Sequence, residues 1–85
     1  MTVRLAYFAW VREKLGRAEE FSVLPVEVRT VADVVAWQAT RGAEYADVFA
    51  QKGVVRVAVD QVHADAGTDV SEAREIAFFP PVTGG

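Results

Sequence analysis

Residues 2–8 alternate in character: Val3, Leu5 and Tyr7 fall on one side of an extended chain, and Arg4, Ala6 and Phe8 fall on the other. This period of two predicts a first strand. Ala9 to Leu15 then take on helical character, and Gly16 is placed to end that turn in a left-handed conformation. Residues 19–24, Glu-Glu-Phe-Ser-Val-Leu, predict a second strand that stops at Pro25. The main helix follows. Thr30 can cap it, with Asp33 three residues on as the reciprocal member of a capping box. Val31, Val34, Val35, Gln38 and Ala39 recur at helical spacing, and Gly42 offers a stop. Ala43 to Ala50 predict a second short helix carrying Tyr45, Val48 and Phe49. Val54 to Val59 predict a third strand, with Val55, Val57 and Val59 opposed to Val54, Arg56 and Ala58. A short edge strand is expected at Val62-His63 within a loop over 60–74. Glu75 to Phe79 complete the set, with Ile76 and Phe78 on one face and Ala77 and Phe79 on the other.

One main helix over one face of a mixed sheet makes an α+β roll. The first and last strands are apolar on both faces, as central parallel strands are. So short a chain supplies only one helical layer. The uncovered sheet face then shows Phe8, Phe79, Ala6, Ala77 and Ala58, with Arg4 and Arg56 nearby. Such a patch reads as a partner surface unless the second helix and the long loop cover it.

Composition narrows the function. The chain has 85 residues, 52% of them hydrophobic, which fits one domain and excludes intrinsic disorder. No apolar run approaches the roughly 20 residues of a membrane span, and no leader segment is visible. A soluble cytoplasmic protein is therefore expected, with no membrane partner. There is no cysteine, which removes disulfides, thiolate metal sites, iron–sulfur clusters and a cysteine nucleophile. The net charge is −3 without a basic stripe, so no nucleic-acid partner is expected. The charge is uneven: residues 1–59 carry a net +1 and residues 60–85 a net −4. That acidic stretch is either a solvated loop or a docking patch for a basic partner.

Conventional catalytic groups are scarce. A triad of Ser71, His63 and Asp69 can be drawn, but no spacing supports it. His63, the one histidine, makes no metal site alone and reads as a surface or interface residue. Asp65-Ala66-Gly67-Thr68-Asp69 lacks the ligand positions of a calcium loop. Gly16, Gly42 and Gly53 stand alone, so no glycine loop cradles a phosphate. Trp10 and Trp37 read as packing anchors. What remains is the terminal segment. Pro80 and Pro81 stiffen its root, and Val82 and Thr83 lead to Gly84 and Gly85, which have no side chains. Six extended residues reach at most about 20 Å, enough to enter a neighbour's cleft. Two glycines let a narrow channel admit the backbone and touch the terminal carboxylate. That carboxylate is a poor electrophile until an ATP-using partner activates it. A frayed terminus is the default for any chain end.

The ending Glu75-Ile76-Ala77-Phe78-Phe79-Pro80-Pro81-Val82-Thr83-Gly84-Gly85 closely resembles that of the small subunits of molybdopterin synthase. These are ubiquitin-like sulfur carriers with a β-grasp fold. Phe8-Ala9-Trp10-Val11-Arg12-Glu13-Lys14-Leu15-Gly16 is similar to the family's first-strand exit, and Ala58-Val59-Asp60-Gln61 to its Ala-Val-Asn-Gln stretch. Two positions depart. Asp60 stands where Asn is usual, and Glu72-Ala73-Arg74-Glu75 where Asp-Gly-Asp-Glu is common. Ala73 lacks glycine's freedom at positive φ, which leaves the turn before the last strand open.

The resemblance implies a ubiquitin-like β-grasp domain over 1–79, a mixed sheet on one main helix, followed by a flexible tail over 80–85. It implies that an E1-like adenylating enzyme uses ATP on the Gly85 carboxylate, with Gly84 beside it, and that a sulfur-donor protein then leaves a thiocarboxylate. It further implies that the large synthase subunit takes Pro80, Pro81, Val82 and Thr83 into its active site, passes sulfur to cyclic pyranopterin monophosphate, and rests on Phe8 and Phe79, with His63 at the edge. Two carriers and two large subunits would form a heterotetramer. The chain would bind no cofactor and hold no catalytic pocket of its own. A carrier for thiamine or protein conjugation in the same fold, or a β-grasp interaction module with an inert tail, are the other readings.

Overall fold

The structure, a computed structural model, describes residues 2–50 and 55–81. Strand β1 (Thr2–Tyr7) leads into helix α1 (Ala9–Leu15), then β2 (Glu19–Val23), α2 (Val31–Ala39), α3 (Ala43–Phe49), β3 (Arg56–Val59), β4 (Val62–Ala64) and β5 (Glu75–Phe79). The strands form one sheet in the order β2-β1-β5-β3-β4. The two strands predicted to be apolar on both faces are central neighbours. They run parallel, with Leu5 beside Ile76 and Tyr7 beside Phe78, and the other pairings are antiparallel. The expected first residue of the third strand, Val54, lies outside the described residues.

The helices and the core occupy one side of the sheet. Val3, Leu5 and Tyr7 from β1, Val57 from β3 and Ile76 and Phe78 from β5 bury against Val31 and Val34 of α2 and Val48 and Phe49 of α3. Each fully buried large apolar side chain contributes roughly 1.5–3 kcal/mol. Phe78 sits at the centre, edge-on to Phe49 at 5.0 Å and stacked on Tyr7 at 5.6 Å.

The capping box starts α2: the Asp33 N–H donates to Thr30 Oγ1 at 3.2 Å, and the Thr30 N–H donates to the Asp33 carboxylate at 3.1 Å. Gly16 ends α1 at φ +75°, as the pattern predicts. Gly42 does not stop α2. That helix ends at Thr40, whose hydroxyl turns back onto the Trp37 carbonyl, and Gly42 instead begins α3 at φ +148°. Trp10 is exposed on α1, where only Val11 is buried, so it anchors no core. Trp37 is partly buried against the core, beneath the Arg41 guanidinium.

Asp60 and Gln61 both have positive φ and close β3 onto β4 as a two-residue turn. Asp60 Oδ1 accepts from the Arg74 and Glu75 N–H groups at 2.9 and 3.0 Å. Only an acceptor is required there, so aspartate satisfies a position where asparagine is usual. Ala73 is buried, has no positive φ and donates its N–H to the Val70 carbonyl, so this turn needs no glycine.

Candidate functional site

The sheet face opposite the helices is open. Helix α3 packs on α2, and Val70 and Ala73 of the long loop enter the same core, so neither covers it. Reading across the strands, Ala6, Ala77, Ala58 and His63 form one row and Arg4, Glu75 and Phe21 another. Beyond the last parallel pair, Tyr7 beside Phe78, Phe8 comes level with Phe79, which pairs with Arg56. Of the alanines expected to show on this face, Ala6 and Ala77 are buried and Ala58 is only partly exposed, because such short side chains lie below their larger neighbours; they floor a shallow trough, with Phe8 and Phe79 at the end where β5 leaves the sheet.

Each predicted contact residue within the described residues lies at that end. Phe8 is 50% exposed. Its N–H donates to the Phe78 carbonyl at 3.0 Å, tying it to the end of β5. The next residue, Ala9, is left-handed at φ +54°, which turns the chain sharply into α1; an alanine there costs about 1 kcal/mol. His63 is exposed and meets Phe79 edge-on at 6.2 Å. Pro80 and Pro81 follow, half-buried, beside this cluster. Val82, Thr83, Gly84 and Gly85 lie outside the described residues. Asp69 is engaged in a turn with the Ser71 N–H, within the loop beside α2, away from His63 on the open face. Among the described residues no cluster of His, Asp and Glu is fit to hold a metal ion, and no helix is long and apolar enough to cross a membrane.

Behind the trough, a polar cluster ties β1 and β2 to α2 and α3. Gln38, fully buried, donates to the Tyr7 hydroxyl at 2.9 Å, and that hydroxyl donates to Glu20 at 2.6 Å. Arg41 spans both Glu20 oxygens at 2.8 and 3.0 Å, and Tyr45 donates to the same carboxylate at 2.8 Å. Burial alone would raise the Glu20 carboxyl, but the bonds from Arg41, Tyr7 and Tyr45 outweigh it and hold it near 2. Burial, reinforced by Glu20, pushes the Tyr7 hydroxyl well above its ordinary value. Glu20 thus titrates below its ordinary 4.5, so its stabilisation is present above that pH and is lost as pH falls toward 2. Acid unfolding followed by circular dichroism is expected to show wild type losing on the order of 2 kcal/mol in that window. The loss should be clearly smaller in Glu20→Gln, which keeps only the contributions of carboxylates such as Asp33 and Asp69, also held below their ordinary range by backbone N–H groups. A matching acid loss in the variant would contradict this role.

Strand β2 inverts the usual pattern. Glu20 faces the interior, while Phe21 and Val23, each 66% exposed, face outward beside Arg4. Sequence reasoning did not assign these two to the open face. The alternation of 19–24 was the available signal, but it becomes readable only once Arg41 and Tyr45 are known to hold Glu20 inside.

The ThiS family profile matches residues 5–85. The molybdopterin synthase sulfur carrier subunit of Haemophilus influenzae is 34% identical over 83 residues, covering 98% of this chain and 99% of that protein. Its counterpart in Escherichia coli is 32% identical over 84 residues, with 98% and 99% covered. Among solved structures, SAMP1 from Haloferax volcanii superposes with a TM-score of 0.74 at 21% identity over the whole of both chains. A putative molybdopterin converting factor subunit 1 from Pyrococcus furiosus gives 0.75 at 24%, covering 96% of this chain and 99% of that one. These two share the fold, the ubiquitin-like β-grasp.

Proposed function

Since the chain belongs to the ThiS family, we propose that it is the sulfur carrier subunit of a molybdopterin synthase and that the Gly85 carboxylate bears the sulfur. The observation that carries this reading is the course of β5. The central strand delivers Phe79, Pro80 and Pro81 to the rim of an open apolar face, where the residues that follow can be handed to another protein. Neither proline has an N–H to donate, so the root does not extend the sheet ladder or coil.

The chemistry proceeds in three balanced steps. An E1-like adenylating enzyme joins the Gly85 carboxylate to AMP and releases pyrophosphate from ATP. Sulfide-level sulfur from a donor protein displaces AMP and leaves a thiocarboxylate. In the large subunit that sulfur moves to cyclic pyranopterin monophosphate, and water returns oxygen to Gly85. Two loaded carriers supply the two sulfurs of one dithiolene, which suits a heterotetramer of two carriers and two large subunits. A chain without cysteine has no thiol to bear sulfur, and a terminal thiocarboxylate meets that need. ATP serves the activating enzyme, the carrier needs no bound cofactor, and the pocket belongs to the partner. Gly84 gives the slim approach. Phe8, Phe79 and His63 form the docking rim, and Val82 and Thr83 line the entry.

Phe8 offers a test that separates docking from folding. It occupies the N-cap of α1 without capping it through its side chain, and aspartate is a favoured residue at that position. Phe8→Asp is expected to keep or raise the melting temperature while weakening binding to the large subunit by roughly 30-fold or more. Calorimetric titration against that subunit reads the effect. Unchanged affinity would move the docking surface elsewhere.

A further inference from the structure

Strand β2 is an outer edge of the sheet. The Tyr7 N–H donates to the Ala18 carbonyl at 2.8 Å, and the register continues through Leu5 with Glu20 and Val3 with Ser22. Hydrogen-bonded pairs alternate along an antiparallel ladder, so Glu20 and Ser22 bond inward to β1. The even-numbered residues of β1 turn the other way, to β5: the Arg4 N–H reaches the Arg74 carbonyl and the Phe8 N–H the Phe78 carbonyl. The N–H and C=O groups of Glu19, Phe21 and Val23 therefore point out from the edge. The other edge offers less. Strand β4 has three residues, and with Val59 and Val62 closing the tight turn, only His63 directs its backbone outward.

We propose that β2 is a self-association edge, to which β2 of a second copy adds antiparallel about a twofold axis at Phe21. In that register Phe21 meets Phe21 of the second copy and Glu19 meets its Val23, so each outward backbone group of these three residues finds a partner. No like charges meet. The two Glu19 side chains stand roughly 14 Å apart at about 3.4 Å per residue, and each is already paired with its own Arg4 at 2.6 Å. The apolar side chains that face the wrong way for a soluble edge, Phe21 and Val23, are the ones this pairing covers. The strand holds no lysine or proline, the residues that commonly guard an open edge. The Phe8–Phe79 end of the trough, on the far side of β1, stays open, so pairing and tail delivery are independent.

Sedimentation of the full chain from micromolar to millimolar concentration tests this. The mass is expected to rise from 9.3 kDa toward twice that value. Phe21→Lys and Phe21→Glu, each placing like charges on the axis, are expected to stay monomeric alone and to dimerise when mixed, because residue 21 faces its own symmetry mate. Concentration-dependent amide protection in wild type should appear at Glu19, Phe21 and Val23, a readout that does not depend on any variant folding. A wild type that stays monomeric at millimolar concentration overturns the proposal, as does a dimer that survives both single variants, a mixture that does not associate, or protection confined to Phe8, Phe79 and His63.

Discussion

Adding one alanine after Gly85 is expected to abolish sulfur loading while the protein melts as wild type does. The extra residue displaces the reacting carboxylate by about 3.5 Å. A misplacement of that size costs on the order of a hundredfold or more where reacting atoms must be held in attack geometry. The core is not touched, because its last buried member among the described residues is Phe78 and the added residue comes eight positions after it. Intact-mass analysis after incubation with the adenylating enzyme, beside a thermal melt, separates the two effects. Loading at the wild-type rate would show that the terminal carboxylate is not the reacting group.

The second large effect concerns Phe78, which joins the fold to the site. It is fully buried against Phe49 and Tyr7, and the next residue, Phe79, faces the trough. Phe78→Ala removes both aromatic partners and leaves a cavity beneath the root of the tail, which costs about 3–5 kcal/mol. In a domain this small each kcal/mol lowers the melting temperature by roughly 4–8 °C, so a fall of more than about 12 °C is expected. Total stability of small domains is itself about 5–15 kcal/mol, so the variant should also lose partner binding as its β5 frays. Phe79→Ala, at the half-buried neighbour, should lower the melting temperature far less. Equal losses at the two positions would contradict the division of β5 into a core face and a docking face.

How much of this was legible in the sequence depends on how local each cause is. The capping box at Thr30 and Asp33, the left-handed stop at Gly16 and the alternation of β1 and β5 are written in neighbouring residues, and they appear where the pattern puts them. That no helix covers the second sheet face was legible too, because five strands and few helical residues leave a side uncovered, but the burial of Ala6 and Ala77 on that face was not. The inversion of β2 was not legible. Glu20 is drawn inside by Arg41 and Tyr45, more than twenty positions away, and a two-residue period cannot tell which of its faces is interior. Gly42 misled for a related reason: a glycine marks a break, and the break here begins α3 after Thr40 has already ended α2. Trp10 was expected to pack, yet α1 turns Val11 and, four residues on, Leu15 to the core and leaves Trp10 exposed. Phe8 and Phe79 lie at one end of the same sheet face, as the alternation has them, and His63 stands edge-on to Phe79. Arg56, level with Phe79, and Phe21 and Val23 at the β2 edge complete the surface.

The most direct measurement is the mass of the intact wild-type chain after incubation with the adenylating enzyme, ATP and a sulfur donor. A gain equal to the difference between one sulfur and one oxygen atom, mapped by fragmentation to Gly85 and reversed when the large subunit and its pterin substrate are added, is the outcome expected of a carrier. A mass that does not change under conditions where the enzyme consumes ATP, or sulfur found on any other residue, would contradict it.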